Sequence, residues 1–313
     1  MSETDCAGGT EPSTVGEDTH QMAARIAQKF RDAGLGCEIF NFMPADAAVL
    51  RRDRVAVVLA LALLTALAWS YLLWLSADMS VGGMDMGDFR MIPSGMGLMV
   101  PAQVPWQAIE FAFVFVMWTV MMVGMMTPSA APMILMYARV GRQTEAPGRP
   151  LAATVWFTAG YFLVWIGFAL LATVLQWAFE RAALLDSWMG SRSNVLGGFL
   201  FVMAGTYQWT RLKEVCLIQC QRPFAFLMRQ GGFRHDANGS LMLGLRYGAY
   251  SFGCCWALTA LLFAGGVMNM LWIAVLALII LLKKIIPVGS LLARLVGIAL
   301  IAGSVWMFSM GTS

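Results

Sequence analysis

The sequence predicts an all-α fold, a polytopic bundle of transmembrane helices, and three observations point to it. Of the 313 residues, 59% are hydrophobic and only 12% are charged, and the mean hydropathy is +0.69. A water-soluble domain carries about 25% charged residues, so the composition argues against a soluble globular protein. Apolar runs long enough to cross a bilayer recur along the chain, and basic residues cluster in alternate loops between them. The lipid bilayer is therefore the first partner that the sequence predicts.

The first 50 residues are polar and precede the apolar runs. We expect a cytoplasmic N-terminal segment over 1–50, with one short amphipathic helix from Thr19 to Ala33, and a transmembrane helical domain over 51–313. The segment lacks the apolar stretch of a secretory signal peptide.

Seven apolar runs follow, and each is a predicted membrane crossing. Six crossings would result if the fifth and sixth runs formed a helical hairpin around Gly265 and Gly266. The runs cover residues 55–75, 107–136, 152–178, 195–212, 244–264, 267–282 and 289–309.

The positions of Lys and Arg residues predict the orientation of these crossings. The segments before the first run and after the second, fourth and sixth runs are basic, whereas the opposite loops hold only Arg90, Arg181 and Arg192. Because basic loops stay on the cytoplasmic side, we expect a multi-pass protein of the bacterial inner membrane with a cytoplasmic N-terminus.

Several functional classes are disfavoured by residue counts and missing motifs. The only two histidines, His20 and His235, lie in polar segments, which argues against haem and against a His-rich zinc site. A formal charge of +3 gives no basic field for nucleic acid. No Walker motif for nucleotide binding is present, and no catalytic pattern is recognisable, which favours a non-enzymatic role.

Methionine is the main anomaly, because 13 of the 24 methionines lie between Met79 and Met136. The loop after the first run contains Met84 and Met86, whose side chains share one face of an extended chain. A thioether is a neutral soft ligand that suits copper(I). The loop therefore predicts a collector of copper(I) outside the membrane, unless its methionines simply bury in lipid headgroups.

The second run carries a stripe of methionines. Met117, Met121 and Met125 are spaced four residues apart and share one helix face, with Met122 and Met126 beside them. Because the stripe begins next to the Met-rich loop, it predicts a path of thioether ligands through the bilayer. Ordinary packing of methionine against lipid or protein is the alternative.

The basic segment after the fourth run contains Cys216 and Cys220. If this segment is helical up to Pro223, the two thiols stack one turn apart and can bind one copper(I) or zinc ion. We expect Lys213 and Arg222 to favour the thiolate form. Linear copper(I) needs no further donor, and the alternative is a pair of reduced thiols at the membrane surface.

The fifth run contains Cys254 and Cys255 near the middle of the bilayer. Adjacent helical residues point about 100° apart, so both thiols face one partner only if the backbone distorts. The preceding Gly253 permits either that distortion or a close helix crossing. A metal or redox role and an inert, buried role remain open for this doublet.

The chain resembles a bacterial family of predicted metal-binding integral membrane proteins with CLxxC and GCCW motifs. The matching stretches run from Trp118 to Pro132, from Tyr207 to Pro223 and from Gly244 to Trp272. The resemblance implies metal binding, and copper handling is commonly supposed for this family. In the family pattern a cysteine often occupies the position of Ser251 and a glutamate that of Lys283, so these departures imply weaker binding or another mechanism here.

Together these features favour a membrane protein that binds, takes up or delivers copper(I). The donors change from thioether to thiolate towards the cytoplasm, so the ion needs a copper chaperone or a cuproprotein as acceptor. A membrane thiol-disulfide redox protein is one alternative, although Cys216 and Cys220 would lie in the reducing cytoplasm. A non-enzymatic assembly or scaffold subunit, in which the cysteines merely pack, is the other.

Overall fold

The computed structural model describes residues 47–80, 89–94, 99–101, 104–143, 150–182, 194–286 and 289–311. The predicted helix from Thr19 to Ala33 and the Met84 and Met86 pair lie outside these residues. From Leu50 onward the described residues belong to one compact unit.

The described residues form ten helices and one pair of short strands, which confirms the all-α prediction for the bundle. In chain order the elements are α1 (Ala47–Ser80), β1 (Phe89–Met91), β2 (Met99–Pro101), α2 (Ala108–Gln143), α3 (Pro150–Arg181), α4 (Asn194–Tyr207), α5 (Arg211–Gln221), α6 (Pro223–Arg229), α7 (Ala237–Ala260), α8 (Leu262–Gly265), α9 (Met270–Ile285) and α10 (Gly289–Gly311). The most extensive packing joins α3 to α7, α4 to α10 and α2 to α3, while α5 packs on α7 and α9 on α2.

Five helical segments of the described chain are long and apolar enough to cross a membrane, and they coincide with five of the seven predicted runs. They are Val55–Asp78, Ala108–Arg142, Leu151–Arg181, Ala237–Gly265 and Gly289–Ser309.

The fourth and sixth runs form helices that are short for a membrane crossing. Helices α4 and α9 have 14 and 16 residues, or about 21–24 Å, against about 30 Å of hydrocarbon. The run over 195–212 is not continuous, because α4 ends at Tyr207. Thr210 then caps α5 by accepting a hydrogen bond from the Lys213 backbone N–H at 3.3 Å.

The two strands lie in the connection between α1 and α2, where the sequence predicted no regular structure. Each has three residues, and they pair antiparallel with Phe89 opposite Pro101 and Met91 opposite Met99. The Met-rich connection is therefore held together at its second half by a short backbone ladder.

Small residues let α3 and α7 cross in contact. A Cβ at Gly244 would overlap the carbonyl oxygen of Phe157, and one at Gly160 would overlap the backbone of Leu241. Backbone contact of this kind is a usual way for helices to associate in membranes. The crossing fixes α7, which carries one of the cysteine doublets, in the interior of the bundle.

Helix α1 turns a row of leucines away from the rest of the chain. Leu59, Leu63 and Leu67 are 60–62% exposed and lie four residues apart on one face. An apolar face of this kind is compatible with contact to lipid chains.

Candidate metal centre

Helix α5 presents its two cysteines to α7. Cys216 and Cys220 are both buried, and Leu217 packs beside them. A Cβ at Gly253 would come within 2.7 Å of the Cys216 Sγ, so glycine at this position allows the close approach of the two helices. Of the two roles that the sequence left open for Gly253, the structure shows the helix contact.

The two cysteine doublets meet. The Sγ atoms of Cys220 and Cys254 lie 4.0 Å apart, and both side chains are buried. The sequence predicted two separate stations, one stacked along α5 and one in the middle of α7. The structure instead pairs one thiol from each helix, a tertiary contact that spacing along the chain cannot reveal.

Cys254 and Cys255 both face the interior, although they are adjacent in sequence. Their thiols donate hydrogen bonds to the same carbonyl oxygen, that of Ser251, at 3.1 and 2.8 Å. Helix α7 runs unbroken through this region. The expected backbone distortion is therefore unnecessary, because residues three and four positions after Ser251 flank its carbonyl on the same side of the helix.

A buried lysine adjoins this cluster. Lys284 is 6% exposed, and its Nζ donates hydrogen bonds to Ser251 Oγ at 2.8 Å and Ser129 Oγ at 3.0 Å. The hydroxyl of Tyr161 lies 3.1 Å from Ser251 Oγ. Ser251 thus contacts the ammonium group through its side chain and the two α7 thiols through its carbonyl.

Sequence reasoning missed Lys284 as a site residue, because a lysine at the end of an apolar run usually marks the membrane boundary. The signal that identifies it is helical spacing. Lys284 follows Ile280 by four residues, and Ile280 and Ile273 are both on the buried face of α9.

The methionine stripe of α2 faces the protein interior. Ser129 continues the stripe one turn beyond Met125, so the hydroxyl that Lys284 contacts lies on the same helix face. Methionines and cysteines belong to one continuous cluster of buried side chains. The methionines of α2 that are at most 1% exposed are Met117, Met121, Met122, Met125, Met126 and Met133.

A polar network lies beside the first turns of α2. Glu180 accepts hydrogen bonds from Trp106 Nε1 at 2.9 Å and from Gln176 Nε2 at 3.0 Å. Gln176 in turn accepts one from Trp118 Nε1 at 2.8 Å, and Glu110 is also buried. Carboxyl groups therefore lie near the end of the methionine stripe that is remote from Lys284.

Burial opposes ionisation on α5. It raises the pKa of the Cys216 thiol, and the neighbouring Cys254 raises it further. Burial also lowers the pKa of the Lys213 ammonium. Burial therefore outweighs the predicted effect of nearby cations on the pKa of the Cys216 thiol. A metal ion that binds this thiol would have to displace its proton.

The donor set fits a soft ion better than a hard one. Among the described residues, no group of three or more His, Cys, Asp or Glu side chains is placed to hold a metal ion. Two facing thiols, and thioethers that belong to the same buried cluster, are the donors that remain, and sulfur ligands of this kind select copper(I). With metal–sulfur distances of about 2.3 Å, the 4.0 Å separation of the thiols corresponds to a bent S–metal–S angle of about 120°.

Comparisons with known proteins point in the same direction. Searches of curated proteins and of solved structures gave no match. A family model described as "PpoB2: Copper chaperone" matches residues 115–307, which is more than half of the chain. The matched range contains the methionine stripe and all four described cysteines but not Met84 or Met86. The chain therefore belongs to the PpoB2 family of copper chaperones.

Proposed function

We propose that this protein binds copper(I) through the thiolates of Cys220 and Cys254 and delivers it to a copper chaperone or cuproprotein. The observation that carries the proposal is the 4.0 Å approach of these two buried thiols from different helices. The family match supports copper as the cargo, and the soft sulfur donors support the monovalent state.

The methionine stripe gives the ion a route to the thiol pair. Met117, Met121 and Met125 are buried and lie on one face of α2. Neutral thioethers hold copper(I) less tightly than thiolates do, so the ion moves along the stripe towards the pair. The Met84 and Met86 pair would collect copper outside the inner membrane, which makes uptake or delivery a more natural direction than export.

Lys284 would neutralise the loaded site. Copper(I) with two thiolates carries a net charge of −1, and a buried charge is costly unless it is paired. The Lys284 ammonium donates a hydrogen bond to the Ser251 hydroxyl. The carbonyl of the same serine accepts a hydrogen bond from the Cys254 thiol. Binding would release the thiol protons and leave a neutral assembly in the apolar interior.

Copper(I) binding to the detergent-purified protein under reducing conditions tests the proposal. Competition with a copper(I) chelator gives the affinity, and metal analysis gives the stoichiometry. We expect one tightly bound copper(I) per chain in the wild type and its loss in Cys220→Ser and in Cys254→Ser. The control Cys37→Ser removes a thiol outside the matched family region, and we expect it to keep the copper.

The Met84→Leu/Met86→Leu variant separates the outer collector from the inner site. We expect it to keep the tightly bound ion while loading more slowly from dilute copper. Retention of full copper by both Cys220→Ser and Cys254→Ser would overturn the proposal, as would a wild-type protein that binds no copper.

The same thiol pair also favours a second candidate function, the thiol-disulfide redox protein. A disulfide between Cys220 and Cys254 would require the sulfurs to close from 4.0 Å to about 2.05 Å. A reversible Cys220 to Cys254 disulfide in a protein that binds no copper would assign the redox role. Thiols that neither bind copper nor oxidise reversibly would assign the scaffold role.

A further inference from the structure

A cavity of about 270 Å³ lies between the turn after α4, helix α5 and the first turn of α10. Lys213, Glu214, Arg294 and Ser290 line it, and none of the four described cysteines does. The cavity is therefore distinct from the thiol cluster, and binding inside it does not require copper.

Lys213 brings a cationic side chain to the cavity wall. The residue is 2% exposed and lines the cavity. A buried charge is costly unless it is paired. An anion inside the cavity would therefore stabilise the charged form of Lys213.

The rest of the wall also favours an anion. Arg294 adds a guanidinium group, which binds phosphate oxygens in pairs. Ser290 lies in the first turn of α10, where unpaired backbone N–H groups attract negative charge. Behind the wall, the buried Lys283 donates a hydrogen bond to Oε1 of the lining residue Gln208 at 2.7 Å. Glu214 is the one acidic residue among those lining groups, so the cavity is net positive.

Exposed apolar side chains lie beside the cavity. Trp209, which lines it, is 53% exposed, and Leu291 and Ile298, which flank the lining residues of α10, are each 55% exposed. Tryptophan is enriched where membrane meets water. A cationic recess beside an exposed apolar surface matches an occupant with a phosphate group and acyl chains, whereas free phosphate would gain nothing from that surface.

We propose that this cavity binds the phosphate group of an anionic phospholipid, with Lys213 and Arg294 as its cationic contacts and the acyl chains against Trp209 and the exposed apolar side chains of α10. The site would place a lipid headgroup at the side of the bundle that the sequence predicts to be cytoplasmic.

Thermal unfolding of the full-length protein in detergent, with native mass spectrometry of bound lipid, tests the proposal. The probes are phosphatidylglycerol, phosphatidylcholine and inorganic phosphate. We expect phosphatidylglycerol to bind and to raise the unfolding temperature, and the other two to have little effect. We expect Arg294→Gln and Lys213→Met each to weaken phosphatidylglycerol binding by about tenfold or more, and Arg211→Gln, a neighbouring exposed cation outside the cavity, to leave it unchanged.

Arg294 is exposed, so its substitution keeps the test valid if Lys213→Met fails to fold. Equal phosphatidylglycerol binding by the wild type and Arg294→Gln would overturn the proposal. Equal stabilisation by inorganic phosphate would overturn the lipid assignment and identify a free-phosphate site. Equal stabilisation by phosphatidylcholine would overturn the preference for an anionic headgroup.

Discussion

The geometry of the thiol pair predicts a three-coordinate copper(I) site. Two thiolates that hold a metal at about 2.3 Å must lie about 4.6 Å apart for a linear arrangement, yet Cys220 and Cys254 are 4.0 Å apart. The resulting angle of about 120° leaves room for a third donor. Among the described residues no group of three His, Cys, Asp or Glu side chains is placed to hold a metal ion, and a thioether is the remaining kind of soft donor.

We expect Met125 to supply the third sulfur. It is buried and lies one turn before Ser129. The Lys284 ammonium donates hydrogen bonds to the hydroxyl groups of both Ser129 and Ser251. A neutral thioether also leaves the charge of the loaded site at −1, which Lys284 balances. Met125→Leu preserves the side-chain volume, so its cost to folding is less than about 1.5 kcal/mol.

X-ray absorption at the copper edge measures this coordination directly. We expect about three sulfur neighbours in the wild type and two in Met125→Leu, with copper(I) affinity lower by about 10- to 100-fold, the range found when one supporting group of a metal site is lost. The control is Met242→Leu, because Met242 is a half-exposed methionine of α7. A linear two-sulfur spectrum for the wild type, or three sulfurs in Met125→Leu, would refute the reasoning.

Three further substitutions test charge and packing around the site. Lys284→Met leaves the −1 charge of the loaded site without its balancing cation; chelator competition should show copper(I) binding weaker by about 10- to 100-fold, with partial recovery in Lys284→Arg. Gly253→Ala brings a methyl within 2.7 Å of Cys216 Sγ and should cost about 1–3 kcal/mol of stability in detergent unfolding. Gly244→Ala, which overlaps the Phe157 carbonyl oxygen, should cost at least as much, and unchanged unfolding curves would contradict both packing arguments.

The fold was largely predictable because hydrocarbon imposes a simple rule on sequence. A long helix must remain apolar for about 20 residues to cross the bilayer, and five runs meet this rule in the structure. The prediction of one continuous helix over the fourth run was wrong, because a hydropathy profile does not detect a helix N-cap. Thr210 interrupts that run, because its side chain caps the first turn of α5.

The site was only partly predictable, because it depends on contacts between distant segments. Spacing identified all four described cysteines and the methionine stripe, since these features repeat within one helix. The meeting of Cys220 with Cys254 depends on how α5 packs against α7, and Gly253 decides that approach. Lys284 was missed because hydropathy treats a lysine at the end of an apolar run as a boundary, whatever helix face it occupies.

The adjacent lysines of α9 serve two different places in the bundle. Lys284 contacts Ser129 and Ser251 beside the thiols, whereas Lys283 contacts Gln208 at the wall of the cationic cavity. Adjacent residues on a helix point about 100° apart, so one helix end can place a charge at each site. In the family pattern a glutamate stands at position 283. It would therefore change the charge at the cavity wall more than the charge beside the thiols. We therefore expect the departure at Lys283 to affect what the cavity binds. We expect copper affinity to depend instead on Ser251, whose carbonyl and hydroxyl connect the thiols to Lys284.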